Sequence, residues 1–158
     1  MIVIGIDPGL ARLGYGLIRV GGGAVEAVAY GCIETSGKEM RTSQRLLQIH
    51  TELEKILDDY RPDELAIEKL FFARNTTSAM NVSEVRGIVL LDAEKRSIPI
   101  TEYTPNQVKQ AITGSGKADK HQMQEMIKRL LRLEKVPRPD DTADALSIAL
   151  CHIHTMRR

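Results

Sequence analysis

The sequence predicts a single α/β domain spanning residues 1–158. Two patterns carry this: an opening series of apolar strand-like runs broken by glycine turns, and a downstream alternation of helical and strand-like periodicity. The length suffices to bury a sizeable core without disulfides or a structural metal. A composition of 42% hydrophobic and 27% charged residues is ordinary for a globular chain.

Each element has its own warrant. Met1-Ile2-Val3-Ile4-Gly5-Ile6 is apolar and rich in β-branched residues, and Pro8-Gly9 stops it just after Asp7. Leu13 to Val20 forms a second strand, Gly21-Gly22-Gly23 a turn, and Ala24 to Glu34 a third strand, which together make an antiparallel meander. Gly14 and Gly16 do not complete a GxGxxG nucleotide loop, because Arg19 stands where its last glycine belongs. They read instead as sites of close backbone approach. Arg41 to Tyr60 is a helix, with Leu46, Ile49, Leu53, Ile56, Leu57 and Tyr60 on one face. Glu64 to Lys69 is a short fourth strand.

Thr77 to Arg96 is a helix apolar almost all round, through Met80, Val82, Val85, Ile88, Val89, Leu90 and Leu91. One face covers the sheet. The other needs a homodimer partner or further core from the same chain. Ile98 to Tyr103 is a fifth strand, and Thr104-Pro105 opens a helix with Thr as N-cap and Pro at the first position. Asp119 caps a basic amphipathic helix, and Asp140-Asp141 opens the last one. His152 and His154, near the charged terminus, read as a frayed end rather than a metal pair.

Net charge is only +1, but Pro105 to Arg138 carries +5 and the remainder −4. Such a basic third suits a polyanion, although solvated helices share the pattern. Thr113 to Lys117 fails the P-loop pattern at Ala111 and Ala118, leaving a basic loop for a nucleic-acid backbone or a plain connector. Cys32 and Cys151 have no CxxC partner and read as reduced, buried thiols of a cytoplasmic protein. The six-residue opening run is too short for a signal peptide, and no membrane span is expected.

Four carboxylates stand out by position. Asp7 ends the first strand and Glu68 the fourth, and parallel neighbours would bring those ends about 5 Å apart. Asp141 and Asp144, three apart, share one helix face, with Asp144 set in an apolar stretch. Taken singly, Asp7 and Glu68 also read as a turn acid and an exposed acid, and Asp141 as a complement to the helix dipole. Four acids in one pocket would repel and need divalent cations. Mg²⁺ fits, and two such ions about 4 Å apart can hydrolyse a phosphodiester. Phe71-Phe72, beside Glu68, reads either as core or as supplying one stacking or wedge residue at the acidic site.

Ile4-Gly5-Ile6-Asp7-Pro8-Gly9, Ala66-Ile67-Glu68, Tyr103 to Lys109 and Asp141-Thr142-Ala143-Asp144-Ala145-Leu146 resemble, in order and spacing, the motifs of the RuvC family of bacterial Holliday junction resolvases. The resemblance covers essentially the whole chain. It implies a ribonuclease H-like fold: a mixed five-stranded sheet, strands one to three antiparallel, with helices on both faces. It also implies a homodimer that makes paired symmetric nicks in four-way junction DNA, in concert with the RuvA–RuvB branch-migration complex. Asp7, Glu68, Asp141 and Asp144 would hold two Mg²⁺ ions per site, with Mn²⁺ as a substitute. Lys109 and Lys120 match basic residues near the scissile phosphate, and Phe71 matches an aromatic that stacks on an unpaired base. The expected DNA contacts are Phe71, Phe72, Arg74, Lys109, Lys117 and Lys120. Lys69 departs from the family, where many relatives have Gln. A sugar-kinase or actin-like ATPase would need a second such lobe, and a silent junction-binding relative would not need all four acids.

Overall fold

The computed structural model describes residues 1–70 and 76–156. Five strands form one sheet: β1 (Ile2–Asp7), β2 (Arg12–Gly21), β3 (Ala24–Glu34), β4 (Glu64–Glu68) and β5 (Ile100–Tyr103). Their order is β3-β2-β1-β4-β5. β1 to β3 form the expected antiparallel meander, while β4 and β5 join in parallel. β5 starts two residues later than the apolar run suggests. Pro99 has no N–H for the ladder, although its carbonyl accepts from the Leu65 N–H at 2.9 Å.

Helices cover both faces. α1 (Thr42–Tyr60) and α2 (Thr76–Glu94) lie on one side, where Ile49, Leu53, Leu57, Val85 and Val89 meet Ile4, Ile6, Leu65 and Ile67. α3 (Pro105–Thr113), α4 (Lys120–Leu130) and α5 (Asp140–Met156) cover the other, where Val108, Ile127, Leu146 and Ile148 meet Val3, Ile18 and Ala66. α3 and α4 begin where their sequences predict. The Thr104 side chain accepts from the Gln107 N–H and that of Asp119 from the Gln122 N–H, each in a reciprocal capping box.

α5 lies unusually close to the sheet, and the glycines explain how. A Cβ on Gly5 would run into the Ala145 carbonyl, and one on Gly14 into the Asp141 carbonyl. The two residues sit on adjacent strands, with Gly5 opposite Gly16 and Asp7 opposite Gly14. They form a lane without side chains along which α5 descends to the end of β1. Close approach, not nucleotide binding, is therefore their role.

The frayed end expected at His152 and His154 is not found. α5 continues to Met156, and His152 is only 2% exposed. Its ring is fixed between the Tyr103 hydroxyl (2.8 Å from Nδ1) and Glu64 Oε2 (2.7 Å from Nε2). The helix crosses the sheet centrally, so it stays covered as far as Ile153, and a buried imidazole there needs both partners. Cys151 is buried as expected, but Cys32 is half-exposed; both are free thiols. No helix among the described residues is long and apolar enough to cross a membrane.

Candidate active site

Strand parity sets the direction of the acids. Ile4 and Ile6 enter the core under α1 and α2, whereas Val3 enters the core under α5. Alternation then places Asp7 on the α5 side. β4 repeats the pattern: Leu65 and Ile67 face α1 and α2, Ala66 faces α5, and Glu68 follows Ala66. Because Ile6 pairs with Ile67 in a parallel register, both carboxylates leave neighbouring strand ends on the same face.

The first turns of α5 supply the rest. Asp7, Glu68 and Asp144 line one cleft of about 260 Å³ with Lys109, Asp119, Lys120 and Ser147. Asp141 lies on its shoulder, in an adjoining polar recess of about 470 Å³ that shares Lys120 and Asp144. The four acids and two lysines singled out from sequence thus converge on two connected hollows. Lys117 does not join them. It is exposed on a neighbouring groove with Ser115, His121 and Arg129. Phe71, Phe72 and Arg74 lie outside the described residues.

Crowding shows in the protonation of the acids. Burial, reinforced by Asp144, Glu68 and Asp141, pushes the Asp7 carboxyl from 3.8 to about 8, and Lys120 offsets only part of this. Burial and Asp144 raise Glu68, against a lowering by Lys109. Burial raises Asp144 as well, against Lys120. Without a counterion Asp7 keeps its proton at neutral pH. The donors of the site are all hard carboxylate oxygens, and that set suits Mg²⁺, which would neutralise the crowd and displace that proton.

Four residues near the site are not singled out as functional from the sequence. Asp140 takes Lys120 Nζ at 2.7 Å and Arg138 Nη1 at 2.5 Å. Those cations hold the Asp140 carboxyl below its usual range, and Asp140 in turn raises Lys120. Arg12 Nε stands 3.6 Å from Asp141 Oδ2. Arg86, buried on α2, donates to the backbone carbonyl of Glu68 at 2.6 Å and to Glu102 Oε1 at 2.5 Å, pinning the end of β4.

Carboxylates crowded at the end of a mixed five-stranded sheet, with lysines beside them, define a nuclease of the ribonuclease H-like fold. The family model described as crossover junction endodeoxyribonuclease RuvC matches residues 3–152. A relative of that name from Alkaliphilus metalliredigens is 52% identical over 155 residues, covering 98% of this chain and 94% of the relative. One from Pseudothermotoga lettingae is 51% identical over 152 residues, covering 96% and 93%. The structure of T. thermophilus RuvC in complex with a Holliday junction substrate superimposes with a TM-score of 0.93 at 37% identity, covering 99% of this chain and 95% of that one. The chain belongs to the RuvC family of crossover junction endodeoxyribonucleases, the Holliday junction resolvases. The yeast mitochondrial resolvase Ydc2, at 15% identity and a TM-score of 0.65, shares the fold.

Proposed function

We propose that this chain, acting as one nuclease domain over residues 1–158, cuts four-way DNA junctions through Asp7, Glu68, Asp141 and Asp144 acting as ligands for two Mg²⁺ ions. The observation that carries the reading is the crowding at the half-buried Asp7, whose carboxyl desolvation and the neighbouring acids Asp144, Glu68 and Asp141 push up to about 8, a setting that favours a cation. Bound there, such ions supply an activated water and charge relief for the departing 3′-oxygen. Mn²⁺, with similar oxygen preferences, is the expected substitute.

The chain's own residues do the remaining work. Asp7 and Glu68, fixed on adjacent strand ends, would hold the ions against which the scissile phosphate is placed, and Arg86 holds the Glu68 backbone in position. Lys120 and Lys109 approach from α4 and α3 and offset charge on the phosphate, a contribution of a few kcal/mol for a positioned cation. Asp140 keeps Lys120 directed along the rim. Lys117 touches the backbone beyond the cleft. Arg74, with Phe71 and Phe72, engages the junction centre, Phe71 stacking on an unpaired base.

A homodimer places two such sites on one junction, as symmetric nicking requires. α2 supports this reading: Met80 and Leu91 remain 62% and 57% exposed, with Leu47 of α1 at 63%. The other partner is the RuvA–RuvB branch-migration complex that the family resemblance implies, and the setting is the cytoplasm. Asp7→Asn tests the assignment. The variant binds a four-way junction as the parent does but does not cut it, and normal cleavage by it would end the proposal.

A further inference from the structure

On the face of the sheet opposite the carboxylate cleft, α1 and α2 bring together a second cluster of potential ligands. His50 and Glu54 are four residues apart on α1 and share a face, and Asp92 projects from α2 against them. One ligand atom from each lies within 4.8 Å of the others. His50 Nδ1 stands 2.8 Å from Asp92 Oδ1 and 3.0 Å from Oδ2, and His50 Nε2 stands 3.3 Å from Glu54 Oε2.

The state of Asp92 sets this cluster apart from a surface ion pair. Its side chain is fully buried, and burial raises its pKa. The hydrogen bond from the imidazole goes to Oδ2, and Oδ1 accepts none. Oδ1 lies 2.8 Å from the same ring nitrogen but accepts no hydrogen bond, an unmet need in a buried carboxylate that a cation removes. Glu54 is already divided between two tasks. Its Oε1 takes Lys95 Nζ at 2.6 Å and Arg96 at 3.5 Å, while Oε2 faces the ring. His50 and Glu54 keep 28% and 29% of their side chains exposed, so an ion and a water ligand have a way in.

We propose that His50, Glu54 and Asp92 form a second cation site that takes a transition ion such as Zn²⁺ or Mn²⁺ and clamps α1 to α2. The imidazole selects the ion class. Nitrogen with carboxylate oxygens suits Zn²⁺ and Mn²⁺, whereas Mg²⁺ favours the all-oxygen cleft on the other face. Asp92 faces Nδ1 and Glu54 faces Nε2, and one ion takes only one ring nitrogen, so the His50 ring must turn and Glu54 swing with it for ligand atoms now within 4.8 Å of one another to close to the roughly 3–3.5 Å spacing around a bound ion.

Pulsed EPR on the full-length protein loaded with Mn²⁺ tests this independently of cleavage. None of the four cleft acids offers nitrogen, so hyperfine coupling to a directly ligated nitrogen reports this site alone. The coupled signal is expected in the parent protein and in Asp7→Asn, and is lost in His50→Gln. Calorimetric titration with Zn²⁺ in excess Mg²⁺ provides the second measurement. One Zn²⁺ per chain binds the parent, at least about tenfold more weakly after His50→Gln or Asp92→Asn, with circular dichroism confirming that the variants fold. Mn²⁺ without nitrogen coupling, or Zn²⁺ binding indifferent to both substitutions, would overturn the proposal and leave His50 as a bridge between two carboxylates.

Discussion

Asp7→Asn should stabilise the protein it inactivates. A carboxyl whose folded-state pKa is raised favours folding in its protonated form. Its contribution is therefore complete below the ordinary value of 3.8 and is lost as pH rises toward about 8. At 1.36 kcal/mol per pKa unit, that displacement corresponds to about 6 kcal/mol in a rigid site, and relaxation with water entry reduces the expected loss to about 2–4 kcal/mol. Asparagine keeps the shape and carries no charge, so the variant escapes the loss. The assay is urea unfolding in EDTA at several pH values between 4 and 8.5. The parent should weaken relative to Asp7→Asn as pH rises, and the variant should be the more stable of the two above pH 8. A smaller residual slope remains in the variant because Glu68 and Asp144 are raised in the same direction. Mg²⁺ should reverse the order by stabilising the parent more. Parallel stability curves for the two proteins would refute the idea that Asp7 is held as a costly buried charge.

Three further outcomes follow from the same geometry. Lys120→Met removes the cation that offsets Asp7 and Asp144 and should slow single-turnover junction cleavage by roughly 10²-fold, with a smaller effect on binding by gel shift. Gly14→Ala drives a methyl group into the Asp141 carbonyl and should cost about 1–3 kcal/mol in denaturant unfolding, along with most of the cleavage rate. Phe71→Ala should slow cleavage more than it weakens junction binding, since one lost base stack is worth about 1–3 kcal/mol; equal losses in both would assign Phe71 to the binding surface or core.

The sequence makes the site legible wherever chemistry coincides with an element boundary. Asp7 and Glu68 announce themselves by ending apolar strands, and Asp144 by lying within an apolar helix. Their convergence also needs α5 on one face of the sheet, which Gly5 and Gly14 permit through the absence of side chains that periodicity counts. The Asp140, Arg138 and Lys120 network joins the loop before α5 to the start of α4, and no spacing rule predicts such a pairing. Arg86 reaches Glu68 across 18 residues and two elements for the same reason. His152 reads as terminal because its partners Tyr103 and Glu64 are 49 and 88 residues away. Local pattern fixes which residues share a face; which faces meet is a property of the assembled sheet.

The central claim is that four convergent carboxylates cut a DNA junction with the help of divalent metal. Its most direct test is a labelled four-way junction incubated with the protein and Mg²⁺, then with EDTA added, and resolved at nucleotide resolution. The account predicts two symmetric nicks in opposing strands, made within the lifetime of one complex and abolished by EDTA. Intact junctions in Mg²⁺, or nicks that persist undiminished in EDTA, would contradict it.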